Sequence, residues 1–177
     1  MLFRSRTGGA RIWATRRLRI EHGDGLTPAL LRRAAALGVI LSQQGTHLDI
    51  GAIDRGLLPG LITRIRASHA EPLRSALEAG MRLALGSDGP LNPWLSIAGA
   101  VTDANRPDEA ITRAQAIAAY TSGAAHAEFT DTQKGILAPG RLADLAVLSQ
   151  DIFTAPVENL PDTRSLLTVV GGRIVWD

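Results

Sequence analysis

The sequence predicts an α/β fold: parallel βαβ units first, then a short antiparallel stretch. Three observations carry this. Between residues 17 and 130, apolar runs of strand length alternate with helical segments. The helical segments carry start and stop signals where a crossover needs them. From residue 131 onward the pattern changes to short β-type runs with a Gly171-Gly172 pair between two of them, the signal of a two-residue hairpin.

Taken in order, "RRLRIEHG" (16–23) alternates Leu18 and Ile20 with polar residues and reads as a strand ending at His22. "LTPALLRRAAALG" (26–38) reads as a helix, with Thr27 at the N-cap, Pro28 at the first helical position and Gly38 as the stop. "VILSQ" (39–43) is the next strand, followed by a polar, Gly-rich segment holding His47 and Asp49. "HAEPLRSALEAG" (69–80) predicts a helix from near Pro72 to Gly80, and "MRLALGSD" (81–88) a third strand. Strand, helix, strand, helix, strand makes two βαβ units, which require a parallel sheet with right-handed crossovers. "WLSIAGAVTDAN" (94–105) is helical in pattern, and "TRAQAIAAYTSGAAHAEF" (112–129) opens on a Thr112-x-x-Gln115 capping box. "GILAPGRLADLAVLSQD" (135–151) and "LLTVVGGRIVWD" (166–177) supply the antiparallel strands.

Composition narrows the chemistry. The chain has 177 residues, is 45% hydrophobic and has no cysteine. Disulfides, thiolate metal sites and a cysteine nucleophile are therefore excluded, and a metal would be held by His, Asp or Glu. No apolar run approaches the ~18 residues of a membrane span. Net charge is +2, and all basic residues except Lys134 are arginine. The first nineteen residues hold six arginines and no acid, a pattern also met in transit peptides and nucleic-acid arms. The rest of the chain has no basic stripe with interleaved aromatics, so residues 1–16 are expected to be a poorly ordered basic lead. A cytoplasmic protein with neither a nucleic-acid nor a membrane partner is the expectation. There is no Gly-x-Ser-x-Gly elbow, and Ser87 has no evident base, which disfavours serine hydrolysis.

Two residues stand where chemistry is usually placed. His22 and Asp88 close predicted parallel strands, two strands apart. In an α/β barrel, such ends converge on the face that carries the active site. An imidazole and a carboxylate there suit a divalent metal such as zinc, and Asp88 would serve as a general base. The competing reading of Asp88 is a helix cap ahead of Pro90. His47 is a candidate substrate residue or a solvated loop histidine, and Trp94 a pocket lining or a packing residue. His69 and His126 are read as surface or packing residues.

"RIEH" (19–22), "GVILSQQ" (38–44), "GSDGPLNP" (86–93), "AYTSGAAHAEF" (119–129), "KGILAPGRLADLAVLSQDIF" (134–153) and "TVVGGRIVW" (168–176) occur in that order. Together they resemble the amidohydrolase superfamily of metal-dependent hydrolases, in particular the branch of N-substituted formamide deformylase-like enzymes, over its C-terminal portion. The resemblance implies a partial (β/α)8 TIM-type barrel, about its last three βα units, over residues 17–130. Residues 131–177 would be the C-terminal strands of a small β-sandwich. It implies that His22 is the metal-ligand histidine closing barrel strand six. Asp88 would be the aspartate closing strand eight, both metal ligand and general base, and His47 would lie on a loop near the substrate. The implied reaction is hydrolysis of a non-peptide carbon–nitrogen bond of a small amide-type substrate, with a metal that polarises the carbonyl and activates water.

The chain departs from that pattern. Its histidines are His22, His47, His69 and His126, and none forms the His-x-His of the superfamily's first barrel strand. A further histidine on strand five is also missing, and Lys134 lies far from any barrel strand. A full barrel takes about 250 residues. The expectation is a fragment whose zinc site is incomplete and which is inactive in isolation. An N-terminal half, or a second copy, would cover its open sheet edge. The alternative is a catalytically inactive remnant acting only as an association module.

Overall fold

A computed structural model describes residues 9–48, 71–103 and 106–177. Two small sheets organise them, one parallel and one antiparallel.

The parallel sheet comprises β1 (Arg19–Glu21), β2 (Ile40–Gln44) and β3 (Arg82–Gly86), with β2 in the middle. Ile20 pairs with Leu41, and Leu41 with Leu83. Side chains alternate across a strand, so Leu41, Leu83 and Leu85 share one face. That face is packed by helices, in a core with Leu31, Leu73, Ile97 and Ala100. On the opposite face Ile40 and Ala84 pack with Ala127. Among the described residues, β1 and β3 each have one strand neighbour in this sheet.

The helices follow their sequence signals. In α1 (Gly9–Thr15) and α2 (Pro28–Ala36) the contrast is instructive. Thr27 caps α2, its side chain accepting from the Leu30 amide, and Leu31 and Ala34 point into the core. Gly38, with φ +67, follows α2, and a Cβ there would lie 2.7 Å from the Ala14 Cβ. Only glycine tolerates both that backbone and that contact, so α1 is seated against the α2–β2 turn. Residues 9–15 form this helix within the 1–16 stretch that the sequence marks as a basic lead.

α3 (Leu73–Glu78) has no side-chain cap from its own N-cap residue, Pro72. Its first turn is held from a distance: buried Glu109 accepts from the Ser75 amide (2.8 Å) and the Ser75 hydroxyl (2.5 Å). A carboxylate at a helix N-terminus satisfies free amides and complements the helix dipole. α4 (Pro93–Thr102) is capped by Asn92, whose Oδ1 accepts from the amides of Trp94 (3.0 Å) and Leu95 (3.2 Å).

The predicted single helix 112–129 is divided. α5 (Arg113–Ala118) starts with the expected capping box of Thr112 and Gln115. A π-helical turn, Ala119–Gly123, then leads into α6 (Ala124–Ala127). Gly123 lies so close to β3 that a Cβ would stand 2.2 Å from the Leu83 carbonyl oxygen. The helix widens where it presses on the strand, a tertiary effect that helical periodicity does not reveal.

The antiparallel sheet comprises β4 (Leu145–Leu148), β5 (Ser165–Val170) and β6 (Arg173–Trp176), in that order. Gly171 (φ +57) and Gly172 (φ +79) make the β5–β6 turn, the left-handed pair that a two-residue hairpin requires. The β4–β5 connection is anchored in the main core: Leu160 is fully buried there, with Ile152, Ala155 and Val157 against it. All four residues of β6 are exposed. No helix among the described residues is long and apolar enough to cross a membrane.

Candidate functional site

The site is built from the carboxyl ends of the parallel strands. His22 follows β1 directly, with its amide donating to the Ser42 carbonyl (2.9 Å). Asp88 lies two residues beyond β3, just before a cis Gly89–Pro90 peptide. Their strands flank β2, so the two strand ends stand roughly 10 Å apart along the sheet, twice the usual strand spacing. Both residues have left-handed backbone, φ +63 for His22 and φ +51 for Asp88. That conformation costs a non-glycine residue roughly 1–2 kcal/mol, and such outliers gather at functional sites.

Asp88 does not cap the next helix; Asn92 does. Asp88 is an exposed carboxylate at the strand mouth. His47, on the 3-10 turn Gly45–Leu48 after β2, comes to His22: the two rings are stacked, centroids 5.6 Å apart and planes 5° from parallel. Trp94 stands elsewhere. It packs against the main core and lines a cavity of about 620 Å³ with Ile97, Ile117, Tyr120, Leu145 and Leu148. His22, His47 and Asp88 are not among the residues lining that cavity. His69 and Asp49 lie outside the described residues.

Imidazole nitrogen and carboxylate oxygen are the right donor types for zinc. In number they fall short: among the described residues no three of His, Asp or Glu come together as a metal-binding group. A catalytic zinc takes typically three protein ligands, so further donors would have to come from polypeptide outside this set.

Sequence reasoning missed two features. The first is the pair of side chains that hold the strand ends. Gln43 Nε2 donates to the His22 carbonyl, and Thr46 Oγ1 donates to the Ser87 carbonyl. The available signal was three polar residues in a row at the close of a buried strand, "SQQ". The second is a charged node on the amino-terminal side of β1. Arg17 Nη1 donates to Asp131 Oδ1 (2.7 Å) and to the His126 carbonyl (2.7 Å), and His126 Nδ1 lies 2.9 Å from Asp131 Oδ2. The Arg17 guanidinium also sits 4.6 Å from the Phe129 ring centroid. Arg17, and then His126, hold the Asp131 carboxyl at about 2, below its ordinary 3.8. His126, expected as a surface or packing residue, is thus part of a clamp from β1 to α6.

A parallel sheet wrapped by helices and followed by a separate antiparallel sheet defines an α/β protein. Residues 3–176 match the amidohydrolase family, and the chain belongs to that family. It is 36% identical over 176 residues to protein LONG AFTER FAR-RED 3 of Arabidopsis thaliana, covering 91% of this chain and 29% of that protein. It is 34% identical over 178 residues to N-substituted formamide deformylase of Arthrobacter pascens, covering 90% and 31%. Its fold matches an uncharacterized metal-dependent hydrolase from Pyrococcus horikoshii at a TM-score of 0.67 and 22% identity, covering 84% of this chain and 32% of that one. The chain therefore spans about three tenths of the length of the curated relatives it matches.

Proposed function

We propose that this chain is the strand-six-to-eight part of a barrel, with adjoining sandwich strands, belonging to a metal-dependent hydrolase of carbon–nitrogen bonds in small amide-type compounds. The observation that carries the reading is the placement of His22 and Asp88, both left-handed, at the ends of strands flanking β2. On this reading residues 17–130 are the barrel part and 131–177 the sandwich part. His22 and Asp88 are two of the ligands of a divalent ion, zinc by donor chemistry. When bound, such an ion supplies Lewis acidity toward a carbonyl and makes a nucleophile available at neutral pH. Asp88, exposed at the strand mouth, is the group that takes up a proton and returns it to the leaving nitrogen. His47, stacked on His22, borders the substrate and limits how His22 can turn. Trp94 contributes by packing.

A second reading, an association module without catalysis, is favoured by the apolar surface beside β1. Trp13, Leu18, Ile20, Leu30, Leu37 and Val39 line a groove of about 440 Å³ there. Among the described residues no strand lies beyond β1, and a parallel edge beside an apolar groove is a place for further polypeptide to add.

One experiment separates the readings. Zinc content and hydrolysis of a panel of N-substituted formamides and other small amides are measured for the chain alone. They are measured again for the chain joined to the part of the N-substituted formamide deformylase of Arthrobacter pascens that this chain does not cover. The hydrolase reading expects turnover from the joined protein and its loss in Asp88→Asn. It expects little zinc and no turnover from the chain alone. Stoichiometric zinc and turnover from the chain alone would refute incompleteness, and an inert joined protein with a His-x-His would leave the association reading standing.

A further inference from the structure

β2 does more than separate His22 from Asp88. Gln43 lies on the helix-covered face of β2 with Leu41, and only 1% of it is exposed. A primary amide in that position is costly unless it is used. It is used on one side: Nε2 donates to the His22 carbonyl, while Oε1 has no partner among the described residues. The His22 amide meanwhile donates to Ser42. Both ends of residue 22 are therefore gripped by β2, one through the ladder and one through a side chain.

The arrangement repeats on the other side. Thr46 Oγ1 donates to the Ser87 carbonyl, which belongs to the peptide that enters Asp88. One residue earlier, the Gly86 carbonyl accepts from the Oγ of fully buried Ser96 (2.8 Å). The surroundings leave these groups little freedom. A Cβ at Gly23 would come 2.5 Å from Leu41 Cδ1 and 3.2 Å from Gln43 Nε2. A Cβ at Gly45 would stand 2.0 Å from the Ser96 carbonyl oxygen, so the turn bearing Thr46 lies directly on α4.

We propose that Gln43 and Thr46 are paired positioning residues. They extend sideways from the central strand and its turn, fastening the backbone of His22 and of Asp88 in the left-handed region. Each therefore sets the direction in which a candidate ligand leaves its strand. The proposal rests on the reading of His22 and Asp88 as metal ligands. Hydrogen-bond partners beyond the ligands commonly change metal affinity by about 10- to 100-fold when removed.

The test uses Gln43→Met, Thr46→Val and Thr46→Ser in the full chain, with two independent readouts. Backbone scalar couplings and Cα chemical shifts report the φ of His22 and Asp88 with no metal present. Gln43→Met is expected to move His22 out of the left-handed range and leave Asp88 in place. Thr46→Val is expected to do the reverse, and Thr46→Ser to retain both. Cobalt(II) binding, read by its visible absorption, is expected to weaken about tenfold or more in Gln43→Met and Thr46→Val and to be restored in Thr46→Ser. If Gln43→Met does not fold, the Val and Ser pair at position 46 decides. Left-handed Asp88 surviving in Thr46→Val would overturn the proposal, as would equal cobalt affinity in the Val and Ser variants. If the wild-type chain binds no cobalt, as its incomplete ligand set allows, the couplings alone decide the positioning role.

Discussion

The two sheets of this chain have three strands each and differ in almost everything else. β2 is hydrogen-bonded on both sides, its neighbours are parallel, and Ile40, Leu41, Gln43 and Gln44 are buried. β6 is an edge strand, and Ile174, Val175 and Trp176 are each about 60% exposed. Polar groups at the end of β2 are consequently fixed by burial and can hold neighbouring peptides in strained conformations. Apolar groups on β6 contribute little to folding and leave an apolar surface uncovered. The antiparallel sheet is fastened to the rest through its connecting loop: Leu160 in the core, Asn92 Nδ2 donating to the Pro161 carbonyl (3.0 Å) and Arg113 donating to the Ile152 carbonyl (3.1 Å).

That contrast is open to direct attack. The largest effect is expected at Leu41, which has no exposed surface and sits beneath the site. Leu41→Ala should lower unfolding free energy by about 2–5 kcal/mol in denaturant titrations, the usual cost of a core cavity. A cost below about 1 kcal/mol would mean that the parallel sheet is not the stability centre.

Asn92→Ala removes both the cap of α4 and the bond to Pro161. A cap is worth about 1 kcal/mol, and the loss should be accompanied by faster amide exchange in the 157–162 turn. Unchanged exchange there would show that the antiparallel sheet holds its place without this link.

The Asp131 node should give a smaller effect, because a partly exposed ion pair is screened. Its folded value of about 2 lies below the ordinary 3.8. The stability it supplies is therefore full above about pH 4 and is lost as pH falls toward 2. Unfolding measured between pH 5 and 2 should show a shallower acid slope in Asp131→Asn. Identical slopes would remove the clamp from the account.

The smallest effect is expected at Ile174→Ala, within about 0.5 kcal/mol of wild type, as for an exposed position away from special features. A larger cost would show that β6 is covered in solution.

Local chemistry was readable in advance. Thr27, Pro28 and Gly38 bound a helix where they predict one, and Thr112 with Gln115 forms its capping box. Gly171-Gly172 turns a hairpin because two left-handed residues leave few other choices. The sequence singles out His22 and His47 independently, and the fold stacks them. What escaped notice depends on contacts distant in sequence. Arg17 meets Asp131 across 114 positions, and nothing near either residue announces the partner. The π turn arises because Gly123 lies against β3. Gln43 and Thr46 read as ordinary polar residues until the strand order places a neighbour's carbonyl beside each.

The central claim is that His22 and Asp88 face one ion. Manganese(II) broadens nuclear resonances near it even when binding is weak, so a titration of the full chain followed by amide spectra tests the claim directly. The account predicts that signals from His22 and Asp88 broaden together, at the same manganese concentration, and that His22→Ala removes the broadening at Asp88. Broadening at only one of them, or at Asp88 unchanged by the loss of His22, would contradict it.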